Sequence, residues 1–548
     1  LNKEEPDMAE DYDGIILGAG PNGLTLAAYL AKAGLKILLL EKRFEAGGGL
    51  ATEQVTLPGF LHNTHAVYMP MVDYAPPLKD FDDYFTKDYD LQFVFPSLVM
   101  AMPFADGTSL RLYQDVEKTC ESIAQFSKKD AETYNKIQAR FKELTEDFLG
   151  PATYEMAKPA FEQMIKLHST DVGREITAYT EKTPKDIVCE LFENDRVRTL
   201  FLYLSCMWGL NYDLEGVSYL VPLLFNRATN YRLVVGGSHH LAHLFTKVLY
   251  RNGGMIISPV TVKRIIIENG SATGVELEDG VKYKAKKFVA SSLDPFQTFF
   301  KYVGKDNLES SFVTRINDWQ WEKSSLFHVH LALNETPKFK AAEKNSDMNK
   351  AFITVLGYES LENLTKHYDA IHKGELFPGG FNCCFPSIHD PKQAPIGKHT
   401  ALISLHAPHD LKDGGAENWY RIREKEADRC VELLRQYAPN ISGDNIIWRY
   451  ITSPLDIGNK FADMVKGSYK QGAYLPLQMG YLRPNEECSQ YATPVKNLYV
   501  CGASTFPGGL ITFGPGYNAA NKIAEDLGIN KWWSEPDCVQ KAKAKGTL

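Results

Sequence analysis

The segment from Tyr12 to Lys42 constrains the fold of this chain more than any other part of the sequence. A buried strand, Gly14 to Leu17, leads directly into the pattern G-x-G-x-x-G, and an amphipathic helix follows from about Asn22 to Ala33. A second apolar strand, Lys36 to Leu40, comes next. Strand, glycine loop, helix and strand in this order predict an α/β fold with a βαβ unit of the dinucleotide-binding type.

The residues of the glycine loop have separate physical roles. Gly18 allows a tight turn, Gly20 lets the backbone approach a pyrophosphate, and Gly23 lets the helix pack closely on the strand. The first helical turn, at Pro21 and Asn22, presents unpaired N–H groups and partial positive charge to an anion. These five residues form the predicted pyrophosphate site.

The second strand ends at an acidic residue, Glu41, near the spacing expected for a ribose-binding carboxylate. A carboxylate there accepts hydrogen bonds from a ribose 2′-hydroxyl and repels a 2′-phosphate, so NADP is disfavoured although Lys42 and Arg43 follow. We include Lys42 with Glu41 among the cofactor-binding candidates. The fingerprint alone does not separate FAD from NAD.

Segments further along the chain resemble a known flavoprotein family. Gly47-Gly48-Gly49-Leu50 follows Glu41, a glycine pair at 236–237 precedes the strand that begins at Val262, and the strand 497–502 leads to Gly514-Pro515-Gly516. Together they resemble the FAD-dependent phytoene desaturases, carotenoid isomerases and carotene ketolases of the flavin amine oxidase superfamily. The resemblance implies a Rossmann-type, glutathione-reductase-like FAD-binding domain, with a parallel sheet and a small antiparallel sheet, interleaved with a mixed substrate domain of sheet and helices.

The resemblance also implies further contacts with FAD. Gly48, Gly49 and Leu50 would lie beside the pyrophosphate, and Val262 would contact adenine through its backbone. The last segment would cover the ribityl chain and point a helix N-terminus at the flavin, where its dipole stabilises the reduced ring. Its candidate residues are Gly502, Ile511, Thr512, Gly514 and Gly516. Because no cysteine lies in a recognised linkage motif, we expect FAD to be bound non-covalently.

The matched segments divide the chain into alternating parts of two domains. The FAD-binding domain is predicted at 11–72, 231–299 and 491–530, the substrate domain at 73–230 and 300–490, and a C-terminal tail at 531–548. Aromatic residues make up 12% of the chain. They cluster at Phe81 to Phe95, Phe192 to Tyr231 and Phe377 to Phe385. These clusters fit either an apolar tunnel for a lipid-like substrate or ordinary core.

Two histidines near the glycine run, His62 and His65, are catalytic candidates. By the resemblance, Asn63 stands on a family aspartate and His65 on a family glycine that lies beside the flavin ring. An imidazole there could act as a general base or orient substrate, whereas the alternative is that both histidines hold loop backbone.

His239 and His240 are further candidates, because they stand at a helix start beside the second glycine pair. His239 and His243 have the i, i+4 spacing of a metal pair, but no neighbouring carboxylate or cysteine completes a site, so no metal is expected. His328-Val329-His330 is read as part of a strand, with a structural role favoured.

The resemblance implies an FAD-dependent oxidoreductase that desaturates, isomerises or otherwise oxidises C–H and C=C bonds of a hydrophobic, carotenoid- or lipid-like substrate by hydride transfer to flavin N5. The expected electron acceptor is O2 or a quinone. A flavin amine oxidase and a non-catalytic prenyl- or lipid-binding protein on the same fold are the alternatives. Intact flavin-binding glycines argue against the second alternative.

Composition narrows the partners and the compartment. With 60 basic and 68 acidic residues the net charge is −8, so the electrostatic attraction that drives nucleic-acid binding is missing. Nine cysteines occur without a C-x-x-C pair, and no apolar run reaches the ~20 residues of a membrane span, so a cytoplasmic location is expected. The lysine-rich end, Lys541 to Lys545 behind Trp532 and Trp533, is a candidate for contact with a membrane surface.

Overall fold

The computed structural model describes residues 9–548. In that range the chain forms two seven-stranded sheets and two ribbons of two strands each. The strands are β1 (Ala9–Leu17), β2 (Ile37–Leu40), β3 (Thr52–Glu53), β4 (His62–Asn63), β5 (Phe93–Val94), β6 (Leu98–Pro103), β7 (Ser109–Tyr113), β8 (Leu233–Val234), β9 (Met255–Ile257), β10 (Val262–Glu268), β11 (Ser271–Leu277), β12 (Lys282–Ser291), β13 (Ser324–Leu333), β14 (Ile353–Leu356), β15 (Phe381–Cys384), β16 (His399–Pro408), β17 (Ile446–Thr452) and β18 (Leu498–Val500).

Helices lie between these strands and cover the faces of the sheets. They are α1 (Pro21–Lys32), α2 (Pro76–Asp80), α3 (Val116–Ala124), α4 (Lys128–Leu144), α5 (Gly150–Ala152), α6 (Ala160–His168), α7 (Asp171–Thr180), α8 (Pro184–Leu191), α9 (Asp195–Cys206), α10 (Val221–Arg227), α11 (His239–Arg251), α12 (Ser310–Asn317), α13 (Leu361–His372), α14 (Pro386–His389), α15 (Trp419–Tyr437), α16 (Pro454–Lys460), α17 (Gly514–Asp526) and α18 (Asp537–Ala544).

The first sheet combines five parallel strands, in the order β9-β2-β1-β12-β18, with the antiparallel strands β10 and β11. Strand β12 belongs to both parts, because it is ten residues long. Its beginning pairs antiparallel with β11, as at Lys284 opposite Gly274, and its end pairs parallel with β18, as at Ser291 opposite Val500. This arrangement confirms the predicted parallel sheet with a small antiparallel sheet.

Helices α1, α11 and α17 pack against one face of the first sheet, and strands β1 and β2 are almost entirely apolar and buried there. A side chain on Gly516 would place its Cβ 2.3 Å from the carbonyl oxygen of Asn22. The absence of that side chain lets α17 lie directly on α1. The N-termini of both helices therefore end at the same edge of the sheet.

The second sheet is mixed, in the order β17-β13-β16-β15-β14-β6-β7, with a parallel pair between β14 and β6. Strands β13 and β16 pair antiparallel along their full length, from Ser324 opposite Pro408 to Leu333 opposite His399. One layer of core packs the sheet against α15, and another packs β6 and β7 against α3, α4, α9 and α10. Every strand of this sheet lies in a predicted substrate-domain segment, and the segment boundaries themselves stay predictions.

The C-terminal tail does not lie free as a basic extension. Residues of α18 pack inward, Trp533 is buried, and the Trp532 ring stacks on Tyr29 at 5.3 Å. Lys543 forms ion pairs with Glu155 and Glu535. The expectation that this tail contacts a membrane is therefore not supported, because its aromatic residues and one of its lysines are engaged within the protein.

Candidate active site

Two adjoining cavities run along the carboxyl edge of the parallel sheet. The smaller one is lined by the ends of β1 and β2 and by the start of β10, and the larger one enters the space between the two domains. The larger cavity encloses about 1440 Å³ of open space, including its mouth. The residues that line both cavities are Gly20, Gly48, Ser292, Phe461 and Asp463. A long ligand could therefore extend from one cavity into the other.

The junction of the cavities is a cradle of bare backbone. A Cβ on Gly20 would meet no atom within 4 Å, and Gly20 directly precedes helix α1. Gly48 has φ of +52°, and its added Cβ would lie 3.0 Å from the Cα of Gly20. Backbone from two separate loops thus comes together at a helix N-terminus, which is the arrangement that binds a pyrophosphate.

The carboxylate of Glu41 lines the smaller cavity and is held in place by backbone. It accepts hydrogen bonds of 2.8 Å from the N–H groups of Ala19 and Arg43. Lys42 and Val262 line the same cavity. This end of the groove therefore has the acidic group and the apolar wall that an adenosine needs.

The other predicted cofactor residues fall into two groups. Those that line the larger cavity are Pro21, Asn22, Gly49, Ile511 and Thr512. Those that line neither cavity are Gly23, Leu50, Gly502, Gly514 and Gly516.

The second group shapes the cradle from behind rather than facing the open space. A Cβ on Gly23 would lie 2.1 Å from the carbonyl oxygen of Gly18, and one on Gly502 would lie 2.3 Å from that of Ser292. These glycines are required because helix and strand backbones touch there. For them, the expected direct contact with FAD is replaced by a packing role.

His65 lines the larger cavity, as the prediction of a flavin-side imidazole requires. Its Nε2 is buried without a hydrogen-bond partner, and its ring packs edge-on against Phe461 at 4.6 Å. Burial, together with the positive charge of Lys460, lowers the pKa of His65 well below its usual value. The imidazole is therefore neutral near pH 7 and has a ring nitrogen available for a proton.

The other three predicted histidines lie outside both cavities, and the geometry does not support catalytic roles for them. His62 is buried and its Nε2 bonds the hydroxyl of Thr56 at 2.8 Å. The Nδ1 of His239 lies 3.1 Å from the carbonyl of Leu50, and its Nε2 faces Glu45. His240 also stands at the start of α11, outside the two linings.

Asp463 and Gln471 were missed by the sequence analysis. Asp463 lines both cavities and accepts a 2.6 Å hydrogen bond from Nε2 of Gln471, which also donates to the carbonyl of Ser292. Burial, assisted by the nearby carboxylate of Glu41, raises the pKa of Asp463 to about 6. Both residues stand in irregular chain after α16, where no periodicity or motif marks a site.

The far wall of the larger cavity is mostly apolar and comes from the second domain. Its apolar and aromatic residues include Tyr68, Met207, Trp208, Leu326, Leu402 and Ile457. Asn382, Ser404 and His406 add polar groups to this wall. Such a wall suits a largely hydrophobic ligand with few polar contacts.

The three aromatic clusters of the sequence have different fates. Phe81 and Phe85 pack into the core of the FAD-type domain, against Phe245, so they do not form a tunnel. Of the second cluster, Trp208 lines the cavity, whereas Phe192 and Phe201 are core. The tunnel hypothesis is therefore correct for only a small part of the aromatic residues.

Two absences concern residues 9–548 alone. In that range no group of three or more histidine, cysteine, aspartate and glutamate side chains is arranged to hold a metal ion. No helix of the same range is both long enough and apolar enough to cross a membrane.

A Rossmann-type domain with a glycine cradle, an acidic ribose-side residue and an apolar chamber beyond it defines a flavin-dependent oxidoreductase. Residues 16–85 match the family described as NAD(P)-binding Rossmann-like domain. The chain is 40% identical to a limonene dehydrogenase polypeptide of Castellaniella defragrans, over 98% of both proteins. It is 25% identical to a lycopene-forming phytoene desaturase of a Paracoccus species, over 90% of this chain and 93% of that protein. The chain belongs to the phytoene desaturase-like family of the FAD-dependent amine oxidase superfamily.

Solved structures agree with the fold. Cyclohexylamine oxidase from Brevibacterium oxydans superposes with a TM-score of 0.58 at 16% identity, covering 95% of this chain and all of that one. At this level of identity the likeness concerns the fold alone, and it confirms the α/β architecture with interleaved domains.

Proposed function

We propose that this protein binds FAD non-covalently and dehydrogenates a hydrophobic, terpenoid-like hydrocarbon, of which limonene is the simplest candidate. The name of the relative from Castellaniella supports a small terpene, and the apolar wall of the larger cavity supports a substrate with few polar groups. Carotenoid- and other lipid-like substrates remain within the proposed class. The proposed electron acceptor is O2 or a quinone.

The residues of the groove fit FAD. Glu41 and Val262 would hold the adenosine part, and the cradle of Gly20 and Gly48 at the start of α1 would hold the pyrophosphate. Ile511 and Thr512, just before α17, would lie towards the flavin part. When bound, FAD supplies the acceptor for a hydride taken from substrate carbon.

The protein's own residues would orient the substrate, exclude water and take the proton. Met207, Trp208 and Leu402 form apolar surface that would hold a hydrocarbon against the cradle side of the cavity. His65, whose neutral imidazole has an unpartnered Nε2, is proposed as the base that removes the proton next to the carbon losing the hydride. The electron pair of the C–H bond that loses its proton then forms the C=C bond.

The observation that carries this proposal is the continuity of the groove. One open path leads from an acidic nucleotide end, across a glycine cradle, into an apolar chamber that contains His65. A non-catalytic lipid-binding protein would need only the chamber, so the intact cradle favours an enzyme. The amine oxidase alternative rests on the shared fold alone.

The decisive experiment is a spectrum followed by anaerobic reduction. The purified protein should absorb near about 450 nm, as flavins do, and limonene should bleach that band in the absence of oxygen. A series of longer polyenes and a primary amine of similar size should be compared with limonene. Colourless protein that takes up no added FAD would refute the cofactor, whereas bleaching by the amine alone would favour the oxidase alternative.

Non-covalent attachment is proposed because the one cysteine near the flavin-side glycines is inaccessible. Cys501 is fully buried, and burial raises the pKa of its thiol well above the usual value. Acid precipitation should therefore leave the yellow colour in the supernatant. A yellow pellet would show a covalent bond to the protein.

Contact with a membrane surface is also proposed, but at helix α6 instead of the tail. Its side chains Phe161, Met164 and Ile165 are 69%, 48% and 55% exposed, and Lys158 and Lys166 lie beside them. This combination favours an anionic lipid surface. Replacing Phe161 and Ile165 by serine should lower cosedimentation with vesicles of anionic lipid several-fold, and unchanged sedimentation would contradict the assignment.

A further inference from the structure

A row of four histidines leads away from the larger cavity. His65 and His328 line the cavity, and His330 and His62 lie behind them. Ring centroids are 6.4 Å apart between His65 and His328, 5.9 Å between His328 and His330, and 5.2 Å between His330 and His62. The four imidazoles thus follow one another at nearly even spacing.

The row exists because two elements that are distant in sequence face each other. His328 and His330 are two residues apart on strand β13, so both side chains point to one face of the sheet. That face packs against the short ribbon β3–β4 and the chain after it, which carry His62 and His65. The spacing in sequence reveals neither the row nor its direction.

The ring nitrogens in this row are largely without partners. His65 Nε2, His328 Nδ1 and both nitrogens of His330 are buried and make no hydrogen bond to the protein. Histidines that merely support the core are expected to satisfy these atoms, because a buried unpaired polar group is costly. Their arrangement suits polar contacts along the row, made directly or through a single water.

The far end of the row reaches the protein surface. His62 Nε2 bonds the hydroxyl of Thr56 at 2.8 Å, and Thr56 is partly exposed in a surface loop. A side branch passes from His330 to the ring of Tyr450, 6.2 Å away and 41% exposed. The row therefore connects the cavity with solvent.

We propose that His65, His328, His330, His62 and Thr56 form a proton relay between the active-site cavity and solvent. This inference rests on the proposed function, in which His65 takes a proton from substrate carbon while the hydride goes to oxidised FAD. Each imidazole then accepts a proton on one ring nitrogen and gives one up from the other, so that one proton leaves at Thr56 and no net charge stays behind. His328, His330 and His62 are thus positioning residues that act through His65.

The electrostatic surroundings suit a relay at rest. Burial lowers the pKa of His62 and of His328 to about 4, and it lowers the pKa of His330 well below the usual value. The positive charge of Lys460 acts in the same direction on His328 and His330. Neutral imidazoles each have one donor and one acceptor nitrogen, which is the state that a relay needs before a proton arrives.

The test compares His330→Phe with His389→Phe in the flavin-loaded protein. His389 is a matched control, because its Nε2 is also buried without a partner but it lies outside the row. With limonene as the probe, His330→Phe should keep its flavin content and melting temperature but bleach roughly 10- to 100-fold more slowly. Its solvent deuterium isotope effect should also rise, and His389→Phe should behave as the unmodified protein.

A second measurement separates the relay from the proposed function. If limonene does not bleach the unmodified protein, the proposed function fails, and the flavin is then reduced by light with EDTA while a pH-indicator dye reports proton uptake. Slower uptake in His330→Phe than in His389→Phe supports the relay, and equal uptake overturns it. If His330→Phe does not fold, Thr56→Val replaces it, and an unchanged isotope effect together with unchanged proton uptake in that variant overturns the relay.

Discussion

The two walls of the active-site cavity are built in different ways. On the nucleotide side, the fingerprint lies within residues 14–41, and its cradle is backbone from that segment and the glycine run that follows. On the substrate side, β13, β16, the end of α9 and the chain after α16 each supply a few side chains. The first wall is specified by which residues are glycine, and the second by which strands lie next to each other. Mutations should therefore separate cofactor binding from substrate chemistry.

The largest effect is expected on the substrate side, at His65. His65→Ala should lower the rate of substrate-driven flavin reduction by about 10² to 10⁴, the usual contribution of a general base, while flavin content stays normal. The measurement is anaerobic stopped-flow bleaching with limonene. The exposed His243 provides the control variant His243→Ala. Normal bleaching in His65→Ala would remove the base from this wall and shift attention to His328 or His406.

Gly23 tests the nucleotide wall through packing. Its added Cβ would lie 2.1 Å from a backbone oxygen, so Gly23→Ala should destabilise the fold by about 3 kcal/mol and release the flavin. Gly20→Ala is the matched comparison, because a Cβ there meets nothing within 4 Å. It should keep the melting temperature of the flavin-free protein but lose flavin affinity. Equal melting temperatures for both variants would contradict the distinction between packing and cradle glycines.

Glu41 sharpens the comparison because its loss should affect binding and leave the chemistry intact. Glu41→Ala should weaken FAD binding by roughly 1.5–3 kcal/mol, the worth of a hydrogen bond to a charged group. Fluorescence titration of the flavin-free protein measures the change, with Glu45→Ala as a control that lies outside both cavities. Once saturated with FAD, the Glu41 variant should be reduced at the normal rate, and a slow rate would contradict the separation of the two walls.

The smallest effect is expected at Asp463, where the cavities meet. Its carboxyl, with a pKa raised to about 6, becomes neutral as the pH falls and then no longer repels a pyrophosphate. FAD affinity of the flavin-free protein should therefore increase about tenfold from pH 7 to pH 5. Asp463→Asn should bind FAD with little dependence on pH over the same range. A pH dependence that persists in this variant would assign it to another group.

Local pattern predicted most of the FAD-type domain. The helix expected from about Asn22 to Ala33 is observed at Pro21–Lys32, and the C-terminal helix expected from 514 to about 527 is observed at Gly514–Asp526. Both predictions succeed because the glycines and the apolar periodicity lie within one continuous segment. The errors concern reach: Leu50, Gly502 and Gly514 belong to the right segments but line neither cavity.

The substrate wall shows the limit of that approach. Asp463 and Gln471 stand in irregular chain, and for His328 the sequence favours only a structural role in a strand. Their positions depend on which strand lies beside β13 and on where the chain after α16 crosses the cradle. Such pairings join residues that are more than a hundred positions apart, and no local pattern records them.

The sequence by itself determined the dinucleotide-type cradle, its acidic ribose-side residue and the alternation of two domains, because glycine spacing and hydrophobic period act over a few turns of chain. The tertiary structure decided which of the predicted histidines enters the cavity. His65 does so, whereas His62 turns to Thr56 and His239 to Glu45. The physical reason is that a side chain's surroundings are set by the packing of distant strands and ribbons, which also aligns His62 and His65 with the two histidines of β13.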